Sequence, residues 1–188
     1  MARLEFDPTA VGKLEVGWWI AHNEHNKARM FELLVQEHIA LYGFTPDEAQ
    51  AALGHFAEGV KGHDQRDLAL AVGPLTDYYQ MIKDKTGFGF DPAEMAKLEV
   101  GWWQIHDELD GNPDKTRLAE AFALLYATQF SVALDRMMVA GQLKAQATNE
   151  HDLAEMDGVS PEESRAHWDR AEQFLVDFYT ELSRVIAS

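Results

Sequence analysis

The heptapeptide KLEVGWW fills residues 13–19 and returns unchanged at residues 97–103. Read outward, the copies are FDPTAVGKLEVGWWIAH at 6–22 and FDPAEMAKLEVGWWQIH at 90–106. Glu15 corresponds to Glu99 and His22 to His106, with no insertion between them. Each copy opens with Asp-Pro, an N-cap aspartate followed by proline at the first helical position, so both copies are read as helix starts. On a helix, positions i, i+3 and i+7 share a face. Glu15, Trp18 and His22 therefore make one stripe, and Glu99, Trp102 and His106 make its copy.

The flanking sequence is helical in character throughout, without a period-two alternation. The first helix is expected to run from residue 8 to residue 42, before Gly43. Thr45-Pro46-Asp47-Glu48 starts a second, reaching about residue 62, and a third spans about 63–85 with Pro74 kinking or interrupting it. In the second half a helix is expected from 91 to about 109, then a turn at DGNPDK (110–115), then one long helix over about 113–147. The polar stretch TNEHDLAEMDGV (148–159) reads as a loop, and Ser160-Pro161-Glu162-Glu163 opens the last helix. The expected fold is an all-α bundle of five or six helices. It forms one domain over 1–188, built from two related αα units at 6–87 and 90–188 about a pseudo-twofold axis. A second echo pairs DYY (77–79) with DFY (177–179).

Composition narrows the function. A chain of 188 residues can bury a sizeable core without disulfides or structural metal. It carries 32 acidic against 16 basic residues, a formal charge of −16. That excess disfavours nucleic acid and anionic membranes and suits basic partners or cations. There are no cysteines, which removes thiolate nucleophiles and Cys-ligated zinc or iron–sulfur centres. The N-terminal residues have no apolar signal region and no stretch is long and apolar enough to span a bilayer, so a soluble cytoplasmic protein is the expectation. No G-x-S-x-G, Walker, G-x-G-x-x-G or H-E-x-x-H motif occurs.

The duplicated stripe is the strongest chemical signal. A carboxylate on a buried helix face needs a counter-charge, a metal or a full set of hydrogen bonds. Imidazole and carboxylate together suit iron, manganese or zinc, and helical bundles build dinuclear sites from such residues on facing helices. Two copies brought together would supply two glutamates and two histidines, Glu15, His22, Glu99 and His106. Glutamate and histidine seven residues apart stand about 10.5 Å apart along the axis, which suits two metals better than one. His63 and Asp67, at i and i+4, are candidate ligands from a second helix. Trp18 and Trp102 would line an apolar cofactor pocket. Weaker candidates are His25, His55 with Glu58, Asp77, Asp177, Glu32, Glu37 and Glu120, for which a solvated face is the simpler reading. His38, His151 and His167 lack a partner at chelating spacing.

Glu15-x6-His22 and Glu99-x6-His106 resemble the first-helix ligand pair of heme-oxygenase-like di-iron oxidases and oxygenases. That resemblance implies a compact helical bundle holding two irons, which activate dioxygen and oxidise a small organic substrate. His63 and Asp67 match part of the family's later His-x3-Asp-x2-His run, but Leu70 stands where its last histidine falls. Two alternatives accompany this expectation. His22 and His106 could be paired axial ligands to a heme in a non-catalytic bundle. Otherwise the repeat is core, and the chain is an acidic protein-interaction module, with a homodimer allowed by the sequence.

Overall fold

The computed structural model describes residues 4–187, and the described residues form eight helices without a strand. These are α1 (Pro8–Asn23), α2 (Lys27–Tyr42), α3 (Pro46–Asp64), α4 (Leu68–Thr86), α5 (Pro92–Glu108), α6 (Thr116–Phe130), α7 (Leu134–Ala154) and α8 (Pro161–Ile186). The all-α class stands, and the expected five or six helices become eight. The four proline-marked starts lie where the sequence puts them. Asp7 Oδ1 accepts from the Thr9 and Ala10 amides, and Asp91 Oδ1 accepts from Ala93. Thr45 with Glu48 and Ser160 with Glu163 form capping boxes.

Two tight breaks supply the extra helices, and a third moves the boundary expected at residue 62 on to residues 65–67. The run expected at 8–42 divides at residues 24–26, where His25 takes a φ of 55° and Asn26 caps α2 through the Arg29 amide. A matching break after α3 has Arg66 at φ 56° and Asp67 capping α4 through Leu70. The helix expected over 113–147 divides at Ser131, which has a φ of 54°. Each left-handed residue ends a helix by turning its amide back to the preceding carbonyls. In contrast, α4 continues through Pro74, and α7 runs seven residues into the segment expected as a loop, as far as Ala154.

Each helix packs on its neighbours in the chain, and α8 returns to pack on α1, closing a ring. Two contacts are close enough to need glycine. A Cβ on Gly12 would lie 2.9 Å from the Val176 backbone nitrogen, so α1 and α8 touch through their backbones. Gly141 likewise meets the backbone of α6 at Ala119 and Ala123. The core has one large cluster around Leu75, Tyr78, Ile82 and Met95, and another around Val11, Met137, Phe178 and Leu182. Tyr42 and Tyr126 pack against both. Burying each such aliphatic or aromatic side chain contributes roughly 1.5–3 kcal/mol, and this burial holds the ring closed.

Candidate functional site

Polar side chains occupy the middle of this core. Glu15, Glu37, Glu99 and Lys144 are only 5, 7, 7 and 5% exposed. The repeated glutamates face inward because Glu15 and Glu99 share a helix face with buried Val11 and Met95 one turn earlier, while Lys13 and Lys97 point to solvent. Lys144 of α7 donates to Glu15 Oε1 and forms an ion pair with it. Its ammonium also lies 5.3 Å from the Trp19 ring centre and 5.2 Å from that of Phe178. Tyr179 O–H donates to Glu15 Oε2 at 2.8 Å, and its oxygen is 3.2 Å from Glu37 Oε1. Trp18 Nε1 donates to Glu37 Oε2 at 2.8 Å. Across the core, Tyr79 O–H donates to Glu99 Oε2 at 2.6 Å.

The electrostatics follow from burial. Desolvation pushes the Glu37 carboxyl up to about 8; Glu15 adds to the shift, while Lys144, Trp18 and Tyr179 oppose it. Burial also raises Glu99, against the hydrogen bond from Tyr79. Tyr42, Tyr78, Tyr79, Tyr126 and Tyr179 are all raised, first by burial and then by neighbouring charges. These phenols stay protonated at neutral pH. His38 moves the other way, down to about 4, because burial disfavours its cation. Its Nδ1–H donates to the Leu34 carbonyl, so Nε2 accepts from Tyr78 O–H at 2.9 Å. Trp102 Nε1 is buried without a well-formed hydrogen bond among the described residues, yet with Trp103 it acts on Glu99 and opposes the rise that burial gives that carboxyl.

A second polar cluster joins α5, α6 and α7. His106 Nε2 is 3.0 Å and His151 Nδ1 3.1 Å from Asp152 Oδ1, and Lys115 Nζ donates to Oδ2 at 2.9 Å. Against the burial that would raise it, these three donors hold the Asp152 carboxyl well below its usual range. His63 Nε2 lies 3.3 Å from Asp107 Oδ2 and packs on Trp103.

The expected ligands therefore scatter. Glu15 and Glu99 lie in the core, but His22 is exposed at the last turn of α1 and His106 is held by Asp152. His63 ends α3, whereas Asp67 is the N-cap of α4, because the helix that would have put them on one face is broken between them. Glu32, Glu58, Glu120, Asp77 and Asp177 are exposed, and His55 approaches Asp77 only at 3.9 Å. Trp18 and Trp102 are partly buried and pack against the core: Trp18 binds Glu37, and Trp102 packs on Phe122. Among the described residues no three His, Asp or Glu side chains are placed to hold a metal ion. The donor set does not fit two irons, since the ammonium of Lys144 takes the place beside Glu15 that a metal cation would need. A heme with His22 and His106 as its axial ligands fits no better, one histidine being in solvent and the other paired. Lys144 and Tyr179 are the residues sequence reading missed; the DFY echo marked the right helix turn and its neighbour Asp177. No protein family, curated protein or solved structure matches this chain.

Proposed function

We propose that the chain is an acidic, non-catalytic interaction module in which the repeated motif builds the core and the surface meets a basic partner. The observation that carries this reading is the separation of charge. Only three of the 32 acidic residues are buried among the described ones, and each of these three is answered by an internal donor. The acidic excess is thus a surface property, which steers cationic partners and repels anionic ones.

The two halves, 6–87 and 90–188, are read as related units about a pseudo-twofold. Support comes from matched roles. Residues 11–19 and 95–103 have the same pattern of burial, as do residues 71–80 and 171–180. Tyr179 bonds the first repeated glutamate from α8 as Tyr79 bonds the second from α4. Duplication of a core element accounts for both glutamates without a ligand.

Calorimetric titration with a short arginine-rich peptide tests this function. Binding should weaken steeply as salt rises, and a glutamate-rich peptide of equal length should not bind. No binding of the basic peptide at low salt, or equal binding of both peptides, would overturn the reading.

A further inference from the structure

The hydrogen-bond geometry around Tyr179 fixes a proton count. A phenol carries one proton, yet the Tyr179 oxygen is within bonding distance of two carboxyl groups, Glu15 at 2.8 Å and Glu37 at 3.2 Å. Lys144 lies on Glu15 and marks it as the ionised partner, so the phenol proton points to Glu15. The contact to Glu37 is then a hydrogen bond only if Glu37 is the acid and donates to the phenol oxygen. The resulting chain runs from Glu37 O–H to Tyr179 O–H to the Glu15 carboxylate to the Lys144 ammonium. It ties α2 to α8, α8 to α1, and α1 to α7. Trp18 completes it by donating to the other Glu37 oxygen.

We propose that a proton on Glu37 locks α1, α2 and α8 together, so that this corner of the bundle tightens on acidification and loosens as pH rises. When that proton leaves for solvent, Glu37 becomes a second anion beside Glu15. The single Tyr179 proton can satisfy only one of them, and Lys144 supplies one positive charge for two. The rest of the surroundings cannot compensate. Glu37 feels Tyr42 on its own helix, Tyr78 from α4, Tyr126 from α6 and Lys144 from α7. Glu99 from α5 acts on the same tyrosines and is itself a carboxyl raised by burial. The side of α3 that enters the core is apolar, through Ala49 and Ala52.

The sign follows from linkage. Glu37 binds its proton up to about pH 8 in the closed state and only up to about 4.5 when exposed. The closed state therefore holds the extra proton between those limits, and the opening constant rises about tenfold per pH unit before levelling off above pH 8. His38 has the opposite sign but changes little above pH 6.5, which leaves a clean window from there to pH 8.

Amide hydrogen exchange of the whole protein, followed from pH 6.5 to 9 and corrected for intrinsic exchange, reads the lock directly. Amides of α1, α2 and α8 should lose protection by about tenfold per pH unit up to pH 8 and then plateau. In Glu37→Gln the amide nitrogen can donate to Tyr179 permanently, and this slope should vanish. Glu99→Gln should keep it. An equal slope in wild type and Glu37→Gln, or loss of the slope in Glu99→Gln alone, overturns the proposal. If Glu37→Gln does not fold, infrared difference spectra of the wild type and Glu99→Gln decide. A protonated-carboxyl band that persists in Glu99→Gln and bleaches in step with exchange supports the lock, and its absence overturns it.

Discussion

Replacing Lys144 with methionine should be among the most damaging single changes in this protein. Lys144 is the cation set against Glu15, and it also lowers the cost of burying Glu37 and Glu99. Methionine keeps the length of the side chain and its contacts with Trp19 and Phe178, so the loss is mainly electrostatic. Removing one partner of a buried pair leaves an uncompensated charge and costs about 3–5 kcal/mol. For a chain of this size each kcal/mol shifts the melting temperature by about 2–4 °C, so the fall should be roughly 6–20 °C. Adding Glu15→Leu to Lys144→Met removes the stranded carboxylate. The double variant should recover to within about 1–2 kcal/mol of wild type, because apolar replacement of a whole buried pair is often nearly neutral. Urea unfolding of the four members of this cycle gives the coupling energy, expected to be at least about 2 kcal/mol. A Lys144→Met variant that loses less than about 1 kcal/mol, or a double variant no better than the single one, would refute the ion pair as an organising contact.

Other outcomes follow from the same geometry. Acidification from pH 6.5 to 4 should cost about 3 kcal/mol at His38, since the unfolded imidazole takes a proton that the buried one refuses until about pH 4. Glu37 gains stability over the same range, so the loss is read as a difference: the urea stability of wild type relative to His38→Gln should fall by that amount between pH 6.5 and 4, and an unchanged difference would refute it. Tyr179→Phe and Tyr79→Phe should each cost about 1–3 kcal/mol by thermal melting, with Tyr179 the worse because its oxygen contacts two carboxyl groups and that of Tyr79 contacts one. Asp67→Ala should cost only about 1 kcal/mol, the value of an N-cap, with exchange rising first in the opening turn of α4.

The helical class and four of the eight helix starts are legible in the sequence because Asp-Pro, Thr-Pro and Ser-Pro caps state them locally. Two other breaks, at 24–26 and at 131, are hidden for a physical reason, and the boundary expected at residue 62 falls a few residues later for the same one. They place His25, Arg66 and Ser131, none of them glycine, in the left-handed region, so composition carries no punctuation there. The site divides in the same way. Glu15, Trp18, Glu99 and Trp102 follow from the repeat and helical spacing, as does their shared inward face. What answers them does not follow, because Lys144 lies 129 residues and Tyr179 164 residues from Glu15. The histidines mislead because seven residues of helix carry His22 from the core to the exposed end of α1, while His106 finds Asp152 across the bundle. The whole motif recurs in the sequence, but only its glutamate and tryptophans serve the interior in both copies.

The repeated glutamates hold the core by hydrogen bonds and charge, through Lys144 and Tyr179 at Glu15 and through Tyr79 at Glu99. Melting curves of wild type, Glu15→Gln and Glu99→Gln, each with and without iron(II) or manganese(II) under anaerobic conditions, test it most directly. A resident metal that binds only the folded state would raise the melting temperature of wild type, and removal of its ligands would abolish that rise. Glu15→Gln should lower the melting temperature by disrupting the Lys144 pair, and neither metal should shift any of the three proteins. A rise of several degrees in wild type that disappears in both glutamine variants would contradict it.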